Sequence, residues 1–340
     1  MDTMRKYYLD YLRVLGIFAV IIIHVTAPVY NVSHEVGEAG WWFSNVFNSI
    51  SRFSVPLFVM ISGAVLLDKS IKLNEFYRKR SLRLLPPILF WTLFYIGFRL
   101  YNGEEIKNIL FLLARDGNAA THLWYLTMFA CLMIFAPFIN MFLNGDKPSS
   151  SDLLILLIMM LIFFILNSIA NVPREIFGTE INWFKSFPWY ISYFIGGYYL
   201  DKYGANIKIN NISIIIGIVA LIAVGIFLNY YAATSYGILK DTFILSNSGP
   251  FVFIITGLVF LFARKNAFYL NSNKTVSTIA QASFGMYLIH SVFIYMFDNM
   301  LLGYGFSPIS QMTIVIISTI ILSFISVFYI RKVKALRVVC

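Results

Sequence analysis

The feature that most constrains this chain is a series of apolar stretches, each long enough to cross a membrane. The hydrocarbon core is about 30 Å thick, and a helix that rises about 1.5 Å per residue needs roughly 20 residues to cross it. The stretches lie near residues 8–30, 45–67, 82–101, 123–143, 152–170, 187–201, 212–232, 246–263, 279–300 and 309–330. The sixth and eighth are short and are interrupted, so nine spans is the alternative count. We predict an all-α polytopic membrane protein with about ten transmembrane helices.

The composition excludes the soluble alternatives. Only 12% of the 340 residues are charged and 59% are apolar, whereas soluble domains average about 25% charged residues. So few charges cannot cover a water-facing surface of ordinary size, which excludes a soluble enzyme, a nucleic-acid-binding protein and a disordered tail. Residues 1–340 are therefore predicted to form a single transmembrane domain surrounded by membrane lipids, without a separate soluble domain. Two cysteines, Cys131 and Cys340, are too few for a disulfide framework or a metal cluster, and we expect no metal.

The basic residues predict the orientation, because Lys and Arg accumulate on the cytoplasmic side of membrane proteins. When each is assigned to a loop, 18 lie in the two tails and in the loops after even-numbered spans. The opposite side holds only Lys107, Arg115, Arg174, Lys185 and Lys240. We expect a multi-pass protein of the plasma (inner) membrane with both termini in the cytoplasm, and the abundance of Ile, Asn and Lys favours a bacterial source.

Two polar residues of the first span are predicted to lie on one stripe. Arg13 and His24 are eleven residues apart, which is about 1,100° of helical rotation, roughly 20° more than three turns, and about 16 Å along the axis. Arginine grips phosphate with a fixed fork, and histidine moves protons near neutral pH. The pair therefore suits an anionic cytoplasmic ligand with a long arm. The alternatives are an ion pair of Arg13 with Asp10 and a packing role for His24.

A second basic cluster precedes the third span. Arg80 and Arg83 lie one turn apart on one helix face, before Pro86 and Pro87, which are expected to bend or reset the helix. The cluster is either a phosphate clamp at the mouth of a cofactor channel or an ordinary positive-inside signal.

The second and ninth spans carry further polar or small residues. Asn48 and Arg52 lie in the outer half of the second span, and Ser62-Gly63 near its inner end allows close approach of a slender ligand or of another helix. In the ninth span Tyr287 and His290 share a face; His290 either lines a tunnel or makes a hydrogen bond between helices. Five tryptophans at outer ends form an aromatic belt or a platform for a sugar: Trp41, Trp42, Trp124, Trp183 and Trp189.

Together, these motifs resemble the integral-membrane acyltransferase family 3. The family signature of Arg or Lys, ten residues and His is similar to Arg13 and His24. A pattern of the Pro-x-Phe-Phe-x-x-Ser-Gly type is similar to residues 56–63, although Val59 stands where a second Phe is common. The other landmarks are the Arg-x-x-Arg at Arg80 and Arg83, the His-Leu-Trp-Tyr-Leu at 122–126 and the Gly-Met-Tyr-Leu-Ile-His at 285–290.

The resemblance implies transfer of an acyl group, commonly acetyl, from cytoplasmic acyl-CoA to a hydroxyl of a cell-surface carbohydrate or its lipid-linked precursor. It maps the family's catalytic histidine onto His24, with Arg13 beside it in the motif. We expect the donor to contact Arg80, Arg83, Ser62 and Gly63. We expect the acceptor to contact Arg52, Asn48, His122, Trp124, Tyr287 and His290.

Several alternatives stay open at this point. His24 either deprotonates the acceptor or takes the acyl group as a covalent intermediate. A transporter or flippase for a glycan or lipid is the main rival function, and an inactive sensor or scaffold that retains the fold is the third. The sequence also leaves open a homo-oligomer.

Overall fold

The computed structural model describes residues 6–31, 35–68, 72–106, 119–145, 149–159, 162, 187–237, 245–247 and 249–340, and these residues are almost entirely helical. The helices are α1 (Tyr7–Tyr30), α2 (Ala39–Ser51), α3 (Ser54–Leu66), α4 (Leu73–Tyr101), α5 (Trp124–Asn144), α6 (Ser150–Met159), α7 (Phe187–Tyr203), α8 (Asn211–Tyr236), α9 (Pro250–Lys265), α10 (Lys274–Leu301) and α11 (Pro308–Ile330).

A multi-pass membrane protein is confirmed by the length and composition of these helices. Within the described residues, seven helical segments are long and apolar enough to span a membrane. They coincide with the predicted spans one to four, seven, nine and ten. The predicted sixth and eighth spans are helices α7 and α9, of 17 and 16 residues, and the fifth is described only over part of its length. The five basic residues assigned to the outer side all lie outside the described ranges, so the orientation of the termini stays a prediction.

The second predicted span is a broken helix. Helix α2 ends at Ser51 and α3 begins at Ser54. The cause lies four residues further on, because Pro56 has no N–H to donate to the carbonyl oxygen of Arg52. The break places Arg52 at a helix end inside the span.

The chain divides into two compact units. The first contains residues 1–64, 193–338 and 340, and the second contains residues 65–192 and 339. In the first unit α1 packs against α2, α9, α10 and α11, and α10 and α11 form a close pair. Hydrophobic residues Ile17, Val20 and Ile21 of α1 are completely or almost completely buried there. This central position of α1 surrounds its few polar residues with other helices.

The second unit is built around α4 and α5, which pack together. Tyr77 on α4 donates a hydrogen bond to the carbonyl oxygen of Ile134 on α5 at 2.7 Å. Helix α4 runs through Pro86 and Pro87 without interruption. Of the two expected effects, bending or resetting the helix, the second is therefore wrong. Arg99, near its end, pairs with Glu104 at 2.7 Å.

Candidate active site

The centre of the first unit brings two histidines together. His24 of α1 and His290 of α10 have ring centroids 4.8 Å apart, with an angle of 72° between the rings. His290 is fully buried and His24 is half-buried. The sequence places them in the first and ninth spans and gives no sign that they meet.

Hydrogen bonds determine which ring nitrogen of each histidine carries a proton. Nδ1 of His24 lies 2.8 Å from the carbonyl oxygen of Val20, and Nδ1 of His290 lies 2.6 Å from that of Tyr287. A carbonyl oxygen only accepts hydrogen bonds, so each Nδ1 must donate. In the neutral ring Nε2 then keeps its lone pair. The site therefore holds two neighbouring imidazoles that each present a basic nitrogen.

The tyrosine predicted to share a face with His290 does so. Tyr287 is buried, and its ring centroid lies 5.9 Å from that of His290. Ser291 places its hydroxyl oxygen 3.4 Å from Nε2 of His290. Both residues therefore belong to the surroundings of the histidine pair.

Arg13 is held at the other end of α1. It donates to Oδ1 of Asp10 at 2.7 Å, which is the ion pair considered from the i,i+3 spacing. Oδ2 of the same carboxylate accepts from the hydroxyl of Ser277 on α10 at 3.2 Å. Asp10 is almost fully buried, whereas the Arg13 side chain is 30% exposed. The carboxylate thus orients a guanidinium group that stays accessible.

A further charged cluster at this end escaped the sequence reasoning. Asp201 of α7 is buried and accepts from Lys6 at 2.5 Å and from the hydroxyl of Tyr8. Arg264 donates to the carbonyl oxygen of Asp201 at 2.7 Å. The cluster ties α1, α7 and α9 together, and it gives partners to two cations, Lys6 and Arg264, that the sequence suggests only as topology signals.

Asn48 belongs to a buried polar network on α2. It donates to the hydroxyl of Thr26 at 3.4 Å, two residues beyond His24. Asn45 accepts from Ser49 at 3.3 Å and from Asn229 of α8 at 3.1 Å. The spacing 44, 45, 48 and 49 of polar residues on one helix face is the signal that could have revealed this network. Arg52 follows one turn after Asn48 and is half-buried at the helix break.

The glycine of Ser62-Gly63 is a packing residue. A Cβ atom built on Gly63 would overlap the backbone carbonyl of Phe194, and one built on Gly197 would overlap that of Met60. The two glycines therefore let α3 and α7 meet backbone to backbone. The space over Gly63 is filled by protein, which matches the helix-packing alternative. Ser62 is half-buried and donates to the carbonyl oxygen of Phe58 at 2.8 Å.

Four predicted site residues lie in the second unit. Arg80 is half-buried, with its guanidinium carbon 5.5 Å from the ring centroid of Phe76; Arg83 is exposed one turn later. His122 is buried, with its ring centroid 5.0 Å from that of Tyr95. Trp124 is the first residue of α5, and its ring centroid lies 5.9 Å from that of Tyr190.

The tryptophans near the start of α2 form an aromatic cluster. Trp41 is fully buried and donates to the carbonyl oxygen of Tyr30 at 3.2 Å. Trp42 is half-buried, with its ring centroid 4.9 Å from that of Tyr230. Trp183 lies outside the described residues. Burial assigns Trp41 to packing and leaves Trp42 accessible.

A comparison with protein families covers nearly the whole chain. Residues 6–328 match a family model described as an acyltransferase domain. The chain belongs to the acyltransferase 3 family. No curated protein and no solved structure matches it. The family assignment makes the chain a membrane-embedded transferase, and the matched region contains every candidate site residue described above.

Two further polar residues of this acyltransferase were not predicted. Thr319 and Ser323 on α11 are fully buried, and neither hydroxyl has a hydrogen-bond partner among the residues that the structure describes. Gln281 bonds to Arg331 at 3.3 Å, and this pair fixes the antiparallel register of α10 and α11. Continued along the two helices, that register places Ser323 at the level of His290 and Thr319 one turn beyond it.

The two hydroxyls give a stability prediction. Because their burial is not compensated by a protein partner, we expect Thr319→Val and Ser323→Ala to leave the thermal midpoint of the acyltransferase unchanged or raised. Ser283→Ala is the matched control, since this buried hydroxyl donates to the carbonyl oxygen of Ala280 at 2.8 Å, and its loss should cost about 1 kcal/mol. A fall in the thermal midpoint of Ser323→Ala as large as that of Ser283→Ala would contradict the prediction.

Proposed function

We propose that this acyltransferase moves an acyl group, most simply acetyl, from cytoplasmic acyl-CoA to a hydroxyl of a cell-surface carbohydrate or its lipid-linked precursor. The observation that carries the proposal is the His24 and His290 pair, with each Nδ1 on a backbone carbonyl and each Nε2 basic. Acyl transfer to a hydroxyl needs a base of this kind at the reacting atoms. His24 is less buried than His290, which favours it as the member of the pair that substrates contact.

In direct transfer, Nε2 of His24 takes the proton of the acceptor hydroxyl while the hydroxyl oxygen attacks the thioester carbonyl carbon. The carbon–sulfur bond then breaks, and the departing thiolate takes the proton from Nε2. The products are the ester and CoA, and His24 returns to its starting state. The bond from Nδ1 to Val20 keeps the ring oriented and stabilises the imidazolium that forms between the two proton transfers.

In covalent transfer, Nε2 of His24 attacks the thioester carbonyl carbon itself, the carbon–sulfur bond breaks, and CoA leaves first, as its thiolate. The acceptor hydroxyl oxygen then attacks the acyl carbonyl carbon, and the bond between that carbon and Nε2 of His24 breaks. The hydroxyl proton passes to Nε2 of the neighbouring His290 and is then released to protonate the CoA thiolate. The two routes use the same two histidines, so the structure alone does not choose between them. Trapping an acylated protein in the absence of acceptor distinguishes them.

The remaining polar residues supply the surroundings of this reaction. Arg13, oriented by Asp10, is placed to attract the anionic end of the donor. For Arg80 and Arg83 of the second unit, contact with the donor stays a prediction from the sequence. Asn48, Arg52 and Tyr287 are candidate contacts for the acceptor in the first unit. For His122 and Trp124 of the second unit, contact with the acceptor stays a prediction from the sequence.

The function is tested with the purified protein in sealed proteoliposomes, supplied with acetyl-CoA labelled in the acetyl group and with a glycan pool. We expect labelled ester and free CoA to appear in equal amounts, because one thioester is consumed for each ester formed. Movement of glycan across the membrane without CoA release would support the transporter alternative instead. Hydrolysis of the labelled acetyl-CoA without ester formation would exclude the hydroxyls of the glycan pool as acceptors.

A further inference from the structure

A cavity of about 240 Å³ opens at the end of the first unit where α10 begins and α11 ends. Its lining includes Thr278 and Gln281 from the first turns of α10 and Phe328 from the last turn of α11. The segment that follows α11 contributes three cations, Arg331, Lys332 and Arg337. No residue of the histidine site lines this cavity.

The three cations of the cavity form no ion pair within the described part of the chain. None of its lining residues is acidic, and none of its three cations forms an ion pair with a described carboxylate. The contrast with the neighbouring cations is clear, since Arg13 pairs with Asp10 and Lys6 pairs with Asp201. The missing negative charge points to an anionic ligand.

Neutral groups hold two of the cations in place. Nη2 of Arg331 donates to the side-chain oxygen of Gln281 at 3.3 Å. Nζ of Lys332 lies 4.5 Å from the ring centroid of Phe328 and 4.9 Å from that of Tyr329. These contacts orient the cations without consuming their charge. Two guanidinium forks and an ammonium group form a donor set that suits a phosphate group.

The distance from the cavity to the histidine pair is close to the reach of the pantetheine arm of CoA. Thr278 directly follows Ser277, which bonds to Asp10, so the cavity and Arg13 are at the same end of the unit. Thr278 and His290 are on one helix and about 18 Å apart along its axis. The pantetheine arm of CoA has about thirteen bonds between its phosphorus and its sulfur. At about 3.5 Å for every three backbone bonds it reaches roughly 15 Å.

We infer that this cavity binds a phosphate group of the acyl-CoA donor, with the pantetheine arm running along α1 and α10 toward His24. The inference rests on the proposed function, because it presumes that the donor is a CoA thioester. It adds a phosphate site formed by Arg331, Lys332 and Arg337 to the cations that the motifs indicate. An anionic lipid headgroup carries the same phosphate chemistry, and the experiment distinguishes the two sources.

The test measures binding of three probes to the full-length protein in lipid-free detergent: acetyl-CoA, adenosine 3′,5′-bisphosphate and phosphate-free S-acetylpantetheine. For Arg331→Gln with Arg337→Gln we expect the Kd of both phosphate-bearing probes to rise about 30-fold, since two charge-assisted contacts are lost. The Kd of S-acetylpantetheine should stay unchanged.

The matched control is Lys208→Gln with Lys334→Gln, because both lysines are exposed and lie outside the cavity lining. It removes the same charge and should leave all three constants unchanged. Unchanged constants in the arginine variant, with tight acetyl-CoA binding by the wild type, would overturn the cavity assignment alone. Loss of co-purified phosphatidylglycerol from that variant, with nucleotide binding intact, would assign the cavity to lipid. Failure of the wild type to bind any of the three probes would overturn the proposed function as well.

Discussion

Replacing His24 with glutamine is expected to lower the rate of acyl transfer by about 10²-fold to 10⁴-fold, the contribution typical of general acid–base catalysis. The glutamine side chain can still donate an N–H to the carbonyl oxygen of Val20, but it has no basic nitrogen at the position of Nε2. Transfer from labelled acetyl-CoA to the glycan pool, measured at equal amounts of folded protein, gives the rate. His34→Gln makes the same change at a histidine that the mechanism does not use, and its rate should equal that of the wild type.

The same variant separates the two chemical routes. Without acceptor, a wild-type protein that acylates itself retains label after denaturation, and His24→Gln does not. If the wild type stays unlabelled and the variant is inactive, direct attack is supported. Equal transfer rates in wild type and His24→Gln would remove His24 from the mechanism and would return the histidine pair to a packing role.

Replacing Gly63 with alanine is expected to have a large effect on stability. The added Cβ overlaps the backbone carbonyl of Phe194, and a backbone cannot turn aside as a flexible side chain does. We expect the free energy of unfolding to fall by about 3 kcal/mol, the upper end of the usual cost of overpacking. The thermal midpoint in detergent and the yield of monodisperse protein provide the measurement.

Gly257→Ala is the control for this change. Gly257 lies in helix α9 of the same unit, and nothing lies within 4 Å of a Cβ built on it. Alanine is a better helix former than glycine by about 1 kcal/mol, so the control should be as stable as the wild type or more stable. A normal thermal midpoint for Gly63→Ala, together with weaker binding of acetyl-CoA, would instead place Gly63 on the path of the donor.

Local features of the site could be predicted from the sequence because helix geometry alone determines them. The hydropathy of residues 8–30 predicts α1 within one residue at its start, and a spacing of three suffices to suggest the pair of Asp10 and Arg13. The rise of a helix likewise gives the separation of Arg13 and His24. None of these inferences needs information about another span.

The contacts between spans could not be predicted in this way. That His24 meets His290 and that Gly63 meets Phe194 depends on which helices pack together and in what register, and apolar stretches of similar composition do not encode this. The break at Arg52 was accessible in principle, since Pro56 removes the hydrogen bond to its carbonyl. The role of Asp201 was not, because its partners Lys6 and Arg264 come from opposite parts of the chain.

The pairing of α1 with α10 has a consequence for the biogenesis of the protein. Asp10 and Ser277, which join these helices, are 267 residues apart. At about 5 to 20 residues per second, the ribosome needs roughly 15 to 50 s to make the second partner after the first. During that time α1 is a membrane helix with a carboxylate, a guanidinium and an imidazole but without the helix that covers them. Until α10 has been made, the nascent chain therefore lacks both the bond between Asp10 and Ser277 and the contact between His24 and His290.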